Sequence, residues 1–322
     1  MIRRFYIMPL NHRATEEAVD EFIEVYSACD EFIAGLSASA AGLDFGGDTV
    51  IWENVFDAEE TYTGLYMMHP YHACSLDSVL MGDSPELITQ DTFTVRYELP
   101  GEIPRIESGI RRLVLMKLPD EPESTAEKLL SEPAEHVATT VFSRDNVQWV
   151  SPKGKVWTHI LEQGFSDDDD LDAYLETAHG IGTSSKDGFR RMGVDIDDLK
   201  ILTYPFELKP PQDPAPLPAD DTPVFYAITA QLEPGDVDAY VKLLESSYDL
   251  HMADHGCKLV HRLRTVDQGY LGAEVQSIWE VPSIAAYNPM RFSTGGDANW
   301  NRYAREAATL VKGGKRRFYR AT

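Results

Sequence analysis

The sequence predicts an α+β protein built from three tandem βαββαβ modules whose sheets pair into α/β barrels. Three observations carry this expectation: an internal repeat, a shared order of periodic segments, and proline-rich boundaries between the copies. The repeat is clearest in the first strand. Ile2-Arg3-Arg4-Phe5-Tyr6-Ile7-Met8-Pro9-Leu10 returns 108 positions later as Ile110-Arg111-Arg112-Leu113-Val114-Leu115-Met116-Lys117-Leu118, identical at five positions. Thr49-Val50-Ile51-Trp52-Glu53 returns 109 positions on as Thr158-His159-Ile160-Leu161-Glu162, and the third copy keeps Ile278-Trp279-Glu280.

In the first module, residues 2–10 are β-branched and aromatic enough for a strand. Thr15 with Glu16 and Glu17 marks a helix start. Val19, Phe22, Ile23, Tyr26, Cys29, Ile33 and Leu36 then recur at three- and four-residue steps, which predicts one apolar helical face through Leu36. A strand is expected at 37–45, a hairpin turn at Gly46-Gly47, a strand at 49–56, a helix from Asp57 or Ala58 to about Leu80, and a last strand at 92–99. This order is the ferredoxin-like split βαβ unit. The second module has room only for a short first helix between Pro119 and Pro133. The third places strands at 224–232, 258–264, 274–281 and 316–320. The expected division is residues 1–100, 105–208, a stiff Pro-rich linker at 209–223, and 224–322.

A four-stranded sheet with both helices on one face leaves the other face bare, an apolar patch that soluble monomers avoid. Modules one and two can close a barrel within the chain. The third is expected to pair with its counterpart in a second chain, giving a homodimer.

The 322 residues are 43% hydrophobic and 25% charged, with 53 acidic against 29 basic side chains, a formal charge of −24 and a pI near 4.6. So negative a surface repels phosphate backbones and anionic headgroups, which argues against nucleic acid and membrane partners. Cys29, Cys74 and Cys257 have no metal-ligand spacing and fit a reducing compartment. Asn11, His12 and Arg13 interrupt the N-terminal apolar run too early for a signal peptide or membrane helix, so a cytoplasmic location is expected.

With Tyr66-Met67-Met68-His69-Pro70-Tyr71-His72, the first module resembles the stress-responsive dimeric α/β-barrel family, whose second helix carries His-Pro-x-His. Within it the module is similar to plant polyketide cyclases of the kind that form olivetolic acid. Thr15-Glu16, Glu21-Phe22, Tyr26 and the Thr-x-Ile-x-Glu-x-x-Phe strand carry that likeness. The resemblance implies acid–base roles for Tyr66 and His72 and a pocket lined by Phe22, Tyr26 and Trp52, with His69 and Tyr6 as further substrate contacts. The cyclases also have a histidine on the third strand, where this module has Val50 and the second module has His159. The third module resembles the NIPSNAP-type branch of the same superfamily through His255-Gly256-Cys257-Lys258-Leu259-Val260 and Ile278-Trp279-Glu280.

On chemistry alone, a neutral imidazole is a competent base near pH 7, and a tyrosine hydroxyl can donate to a developing oxyanion. Against this, the proline can simply start a helix that the histidines cap. His251 and His255 are spaced like a helical metal pair, but only His261 stands near in sequence as a third ligand. His255-Gly256 therefore reads as a helix C-terminus, and no metal is expected. The four acids at 167–170 read as a solvated helix start, and Thr294-Gly295-Gly296-Asp297 is too short for a phosphate loop.

The leading functional expectation is a cofactor-independent acid–base enzyme acting on a small phenolic compound. It would be a carbon–carbon lyase of retro-aldol type, such as one releasing formaldehyde from a lignin-derived aromatic, or a cyclase. The alternatives are a non-catalytic ligand-binding or stress-response barrel, and a cofactor-free or haem-dependent oxygenase with His179 or His251 as axial ligand.

Overall fold

A computed structural model of the chain describes residues 1–76, 87–88, 92–98, 108–118, 139–142, 157–210, 214, 222–266, 272–293 and 296–322. Within them the protein is a mixed α/β structure with three four-stranded antiparallel sheets. The first sheet holds β1 (Ile2–Pro9), β2 (Leu36–Leu43), β3 (Thr49–Phe56) and β4 (Phe93–Glu98), in the order β2-β3-β1-β4. That order is the one a split βαβ unit generates.

β1 is buried along almost its whole length because both faces of the sheet are covered. On one face Met8, Val50 and Trp52 pack with α1 (Glu16–Ser27). On the other, Phe5, Ile7, Ile51 and Val95 share a core with Leu113, Leu115, Ile160 and Leu202 of the second sheet. The α1 N-cap is Thr15, whose hydroxyl accepts from the Ala18 amide, and Glu16 and Glu17 complement the helix dipole in the first turn. Helix α1 stops at Ser27, nine residues before the expected Leu36. Residues Ala28–Glu31 tighten into a 3-10 turn, and Gly35 takes a positive φ of 77° before β2. Cys29, Ile33 and Leu36 are nevertheless buried, so their spacing records packing of the turn and not continued helix.

The second helical region differs more from its expectation. Two π-helical turns, α2 (Thr61–Tyr66) and α3 (His72–Leu76), replace one continuous helix. Between them Pro70 lacks an amide proton, and the Tyr71 amide donates to His69 Nδ1 at 3.2 Å. The expected continuation to Leu80 lies outside the described residues.

The second sheet comprises β5 (Ser108–Lys117), β6 (Thr139–Phe142), β7 (His159–Phe165) and β8 (Asp198–Glu207), ordered β6-β7-β5-β8. Its helices are α4 (Asp168–Leu175), α5 (Ala178–Gly182) and α6 (Lys186–Arg191). The acidic run at 167–170 does start α4: Asp167 accepts from the Asp170 amide as N-cap. The expected short helix between Pro119 and Pro133 falls outside the described residues, as does the expected boundary between modules one and two, Pro100-Gly101-Glu102-Ile103-Pro104.

Sheets one and two meet along β2 and β8. The Phe45 amide donates to Thr203 O at 2.7 Å, and a Cβ at Gly42 would lie 2.1 Å from Pro205 O. Only glycine allows that approach. Between the sheets lies a buried ionic quartet. Arg3 Nη2 reaches Glu53 at 3.0 Å and Glu162 at 2.6 Å, while Arg111 reaches the same two carboxylates at 3.1 Å each. Tyr204 adds a hydroxyl donor to Glu53 at 3.1 Å.

The third sheet, β9 (Val224–Leu232), β10 (Lys258–Arg264), β11 (Ala273–Val281) and β12 (Val311–Tyr319), is ordered β10-β11-β9-β12. It packs under α7 (Val237–Leu243), a π turn at Leu244–Tyr248, α8 (Asp249–Asp254), α9 (Ile284–Ser293) and α10 (Ala298–Leu310). The last strand begins at Val311, five residues earlier than its composition suggests, because Gly313 and Gly314 are absorbed into it around a register shift. Ala73 and Cys74 of α3 join the core of this third unit, so it rests on the first unit as well as being linked to the chain by residues 209–223. Among the described residues no helix is long and apolar enough to cross a membrane.

Candidate active site on the first sheet

The helix-facing side of the first sheet is an aromatic cluster around one buried cation. Trp52 on β3 is fully buried and donates its indole N–H to Ser39 Oγ at 2.9 Å. Tyr26 packs edge-on to it at 4.6 Å between ring centroids, and Phe22 packs on Tyr26 at 4.2 Å. The Tyr26 hydroxyl donates to Leu76 O at 2.6 Å, fastening α1 to α3. Tyr6 stands at the edge of Trp52 at 6.5 Å, with its hydroxyl 3.4 Å from Thr92 Oγ1.

Tyr66 and His72 are brought together, their ring centroids 4.1 Å apart. On an unbroken α-helix six residues span about 9 Å along the axis, and such side chains do not touch. The break at His69-Pro70 and the two flanking π turns make the contact; π turns often accompany functional positions. Both rings are buried, at 0% and 3% exposure. Burial raises the Tyr66 pKa well above the ordinary tyrosine value, and the neighbouring Arg4 charge offsets only part of that rise. Tyr66 therefore stays a proton donor.

His69 does other work. It caps the turn that begins at Pro70, and burial lowers its pKa to about 4, so it is neutral at physiological pH. Of the expected substrate contacts, Phe22, Tyr26, Trp52 and Tyr6 share the cluster with Tyr66, whose ring meets His72, whereas His69 accepts from the Tyr71 backbone amide.

Arg4 is the member that sequence reasoning missed. Its guanidinium carbon lies 4.8 Å from the Trp52 ring centroid, 5.2 Å from Tyr6, 5.6 Å from Tyr62 and 5.5 Å from Tyr66, and Nη1 donates to the Tyr66 hydroxyl at 3.0 Å. Arg4 Nε has no hydrogen-bond partner. Burial pulls the guanidinium pKa down, and the surrounding tyrosine hydroxyls, led by Tyr66, raise it by more. The available signal was the pair Arg3-Arg4 inside an otherwise apolar strand, which must bury one cation on each face.

The repeat of this position in the second sheet is built differently. Arg112 bonds Gln163, donates to Thr183 O at 2.9 Å, and lies 5.9 Å from Tyr174. His179 Nδ1 is 2.9 Å from the Tyr174 hydroxyl, and His159 Nδ1 is 2.8 Å from Thr158 Oγ1. In the third sheet Arg316 donates to Tyr226 at 3.1 Å.

A cleft of about 480 Å³ opens beside the first cluster, between α1, the end of α3 and β12. Its apolar wall includes Phe22, Val25, Tyr26 and Leu87. Among the described residues of its lining, four cations, Arg13, Lys312, Lys315 and Arg317, stand with one acid, Glu21. In a chain of charge −24 the described lining is thus locally of opposite sign.

No protein-family model and no curated protein sequence matches the chain. Among solved structures it is similar to an anthrone oxidase-like protein at 11% identity and a TM-score of 0.43, over 68% of this chain and 96% of that one. It is also similar to a NIPSNAP family protein from Agrobacterium tumefaciens str. C58 at 15% identity and a TM-score of 0.28, over 33% of this chain and 91% of that one. A NIPSNAP domain protein from Burkholderia xenovorans gives 15% identity and a TM-score of 0.27, over 31% and 94% of the two chains.

Proposed function

We propose that the first unit is a cofactor-independent acid–base site for a small phenolic compound, performing carbon–carbon cleavage of the retro-aldol type or its cyclising reverse. The supporting observation is the contact of Tyr66 with both Arg4 and His72. Arg4 donates to the Tyr66 oxygen, which leaves the hydroxyl proton for a substrate and stabilises the oxygen if charge develops on it. For a β-hydroxy carbonyl substrate, His72 takes the hydroxyl proton and the carbon–carbon bond breaks to release an aldehyde. The electron pair moves onto the carbonyl oxygen, and Tyr66 protonates the resulting enolate. Return of the proton from His72 to Tyr66 restores the site.

Phe22 and Tyr26 belong to both the cluster and the cleft wall, so the cleft is the proposed approach. The four cations among its described lining residues favour a substrate that also carries a carboxylate. The test is aldehyde release from hydroxymethyl-bearing phenolic ketones and acids, followed in wild type, Tyr66→Phe and His72→Phe. Each variant is expected to lose roughly 100-fold or more in kcat while still binding ligand. Turnover that survives both changes overturns the assignment.

The burial of Tyr66 and His72 favours a second reading, a barrel that sequesters such a ligand without transforming it. That reading requires saturable binding with no product. The units are further proposed to act as barrels, the first two closing on each other and the third pairing with its counterpart in a second chain. Leu263 and Tyr319 on the third sheet are half exposed, at 51% and 53%. Light scattering should give twice 36.1 kDa; a clean monomer removes the homodimer.

A further inference from the structure

The third unit contains a cluster that the reaction above does not use. Helix α8 carries His251, and its C-cap residue His255 follows four positions later, about one turn on. Their ring centroids lie 5.0 Å apart. The third member comes from a distant element: Asp297, just before α10, places Oδ2 2.9 Å from His251 Nδ1. One nitrogen or oxygen from each of the three residues lies within 4.8 Å of the others. The third ligand sought near His251 in sequence was His261, which instead sits exposed on β10. Folding supplies a carboxylate in its place.

We propose that His251, His255 and Asp297 bind a divalent first-row transition-metal ion, with zinc as the reference case. Two imidazoles and one carboxylate are the donor set of open metal sites with three protein ligands, and they disfavour calcium and magnesium, which take oxygen shells. Bonds of about 2.0–2.1 Å require ligand atoms about 3.4 Å apart. His255 and Asp297 are both partly exposed, so they can close that difference, and water can take the remaining coordination position. Two elements of the site are already held. His251 is 1% exposed, beside the rings of Tyr248 and Trp300, and Asp297 Oδ1 accepts from the Trp300 amide at 2.9 Å. An ion pair that merely caps α10 accounts for His251 and Asp297. His255 with Gly256, at a φ of 74°, ends α8 as the sequence predicts, but that role uses the His255 backbone amide and not its ring.

The test uses the full-length chain, stripped with chelator and dialysed. Zinc is titrated by calorimetry, and cobalt(II) by visible absorption and by quenching of tryptophan fluorescence, since Trp300 lies 5.4 Å from His251. The expected result is one ion per chain with a Kd below about 10 µM. Asp297→Asn keeps a residue that caps α10 but replaces the anionic ligand, and His255→Ala removes the most accessible one. Each should weaken binding by about 10- to 100-fold or more, with circular dichroism unchanged, while His261→Ala binds as wild type. Absence of saturable one-to-one binding overturns the proposal, as does affinity unchanged in both folded variants. If one variant fails to fold, the other decides.

Discussion

Replacing Glu53 by glutamine should destabilise the protein by about 3–5 kcal/mol, the cost of leaving a buried charge uncompensated. Glu53 is fully buried and accepts from Arg3 at 3.0 Å, Arg111 at 3.1 Å and the Tyr204 hydroxyl at 3.1 Å. With Glu162 it balances two arginines whose side chains are 7% and 3% exposed. Burial pulls the Arg111 guanidinium pKa down, and the Glu53 and Glu162 carboxylates more than reverse this. Glutamine keeps the shape but leaves a net positive charge between the sheets and turns an amide donor toward guanidinium groups. Each charge-assisted hydrogen bond contributes about 1.5–3 kcal/mol, so weakening three of them is consistent with that loss. Urea unfolding at 25 °C, followed by circular dichroism and tryptophan fluorescence, measures it. Arg111→Gln added to Glu53→Gln restores neutrality, so the double variant should be more stable than the sum of the singles by at least about 1.5 kcal/mol. The loss should also be insensitive to salt, because buried pairs are poorly screened. A single-variant loss under about 1 kcal/mol, or additivity within about 0.5 kcal/mol, would refute the view that this quartet acts as one unit.

Gly42→Ala should separate β2 from β8 and cost at least about 2 kcal/mol by the same unfolding assay, because its Cβ would meet the backbone of Pro205; an unchanged midpoint would show that the seam yields freely. Asp30 is buried, and desolvation raises its pKa to about 6 against a smaller lowering by the backbone amides of Asp30 and Ser39. The folded state therefore holds this proton more tightly than the unfolded state, and the stability it contributes is lost as pH rises from about 4 through 6. Asp30→Asn should accordingly stabilise the protein at pH 8 by about 1–2 kcal/mol and flatten that part of the profile; destabilisation at pH 8 contradicts this. His69 acts in the opposite sense. Its folded pKa of about 4 lies below the unfolded value, so the unfolded chain gains the proton first and stability falls as pH drops from about 6.5 to 4. His69→Asn, which can still cap the turn, should remove that acid sensitivity, read from Tm at pH 7 and pH 5.

Much of the strand framework was legible because a period of two and a repeated motif are local signals. β1, β3 and β11 fall where their β-branched and aromatic residues put them. The helices were less legible. Cys29, Ile33 and Leu36 continued a helical spacing into a turn that is buried for its own reasons, and the break after Tyr66 was hidden inside an apparently continuous helix. At the candidate site Tyr66, His72, Phe22, Tyr26, Trp52 and Tyr6 could be named, but Arg4 could not, since an arginine in a strand does not announce which rings will enclose it. Contacts between distant segments left no local trace. Arg3 meets Glu162 across 159 residues, and Asp297 reaches His251 across 46.

In a symmetric pair made from two identical chains, every substitution appears twice, so a residue suited to one half is imposed on the other. Here the two sheets that share a core belong to one polypeptide. Arg4 can keep aromatic company while its counterpart Arg112 is tied down by Gln163 and Thr183. Covalent linkage thus lets equivalent positions of the two halves diverge independently, a freedom that a homodimer of the same architecture does not possess.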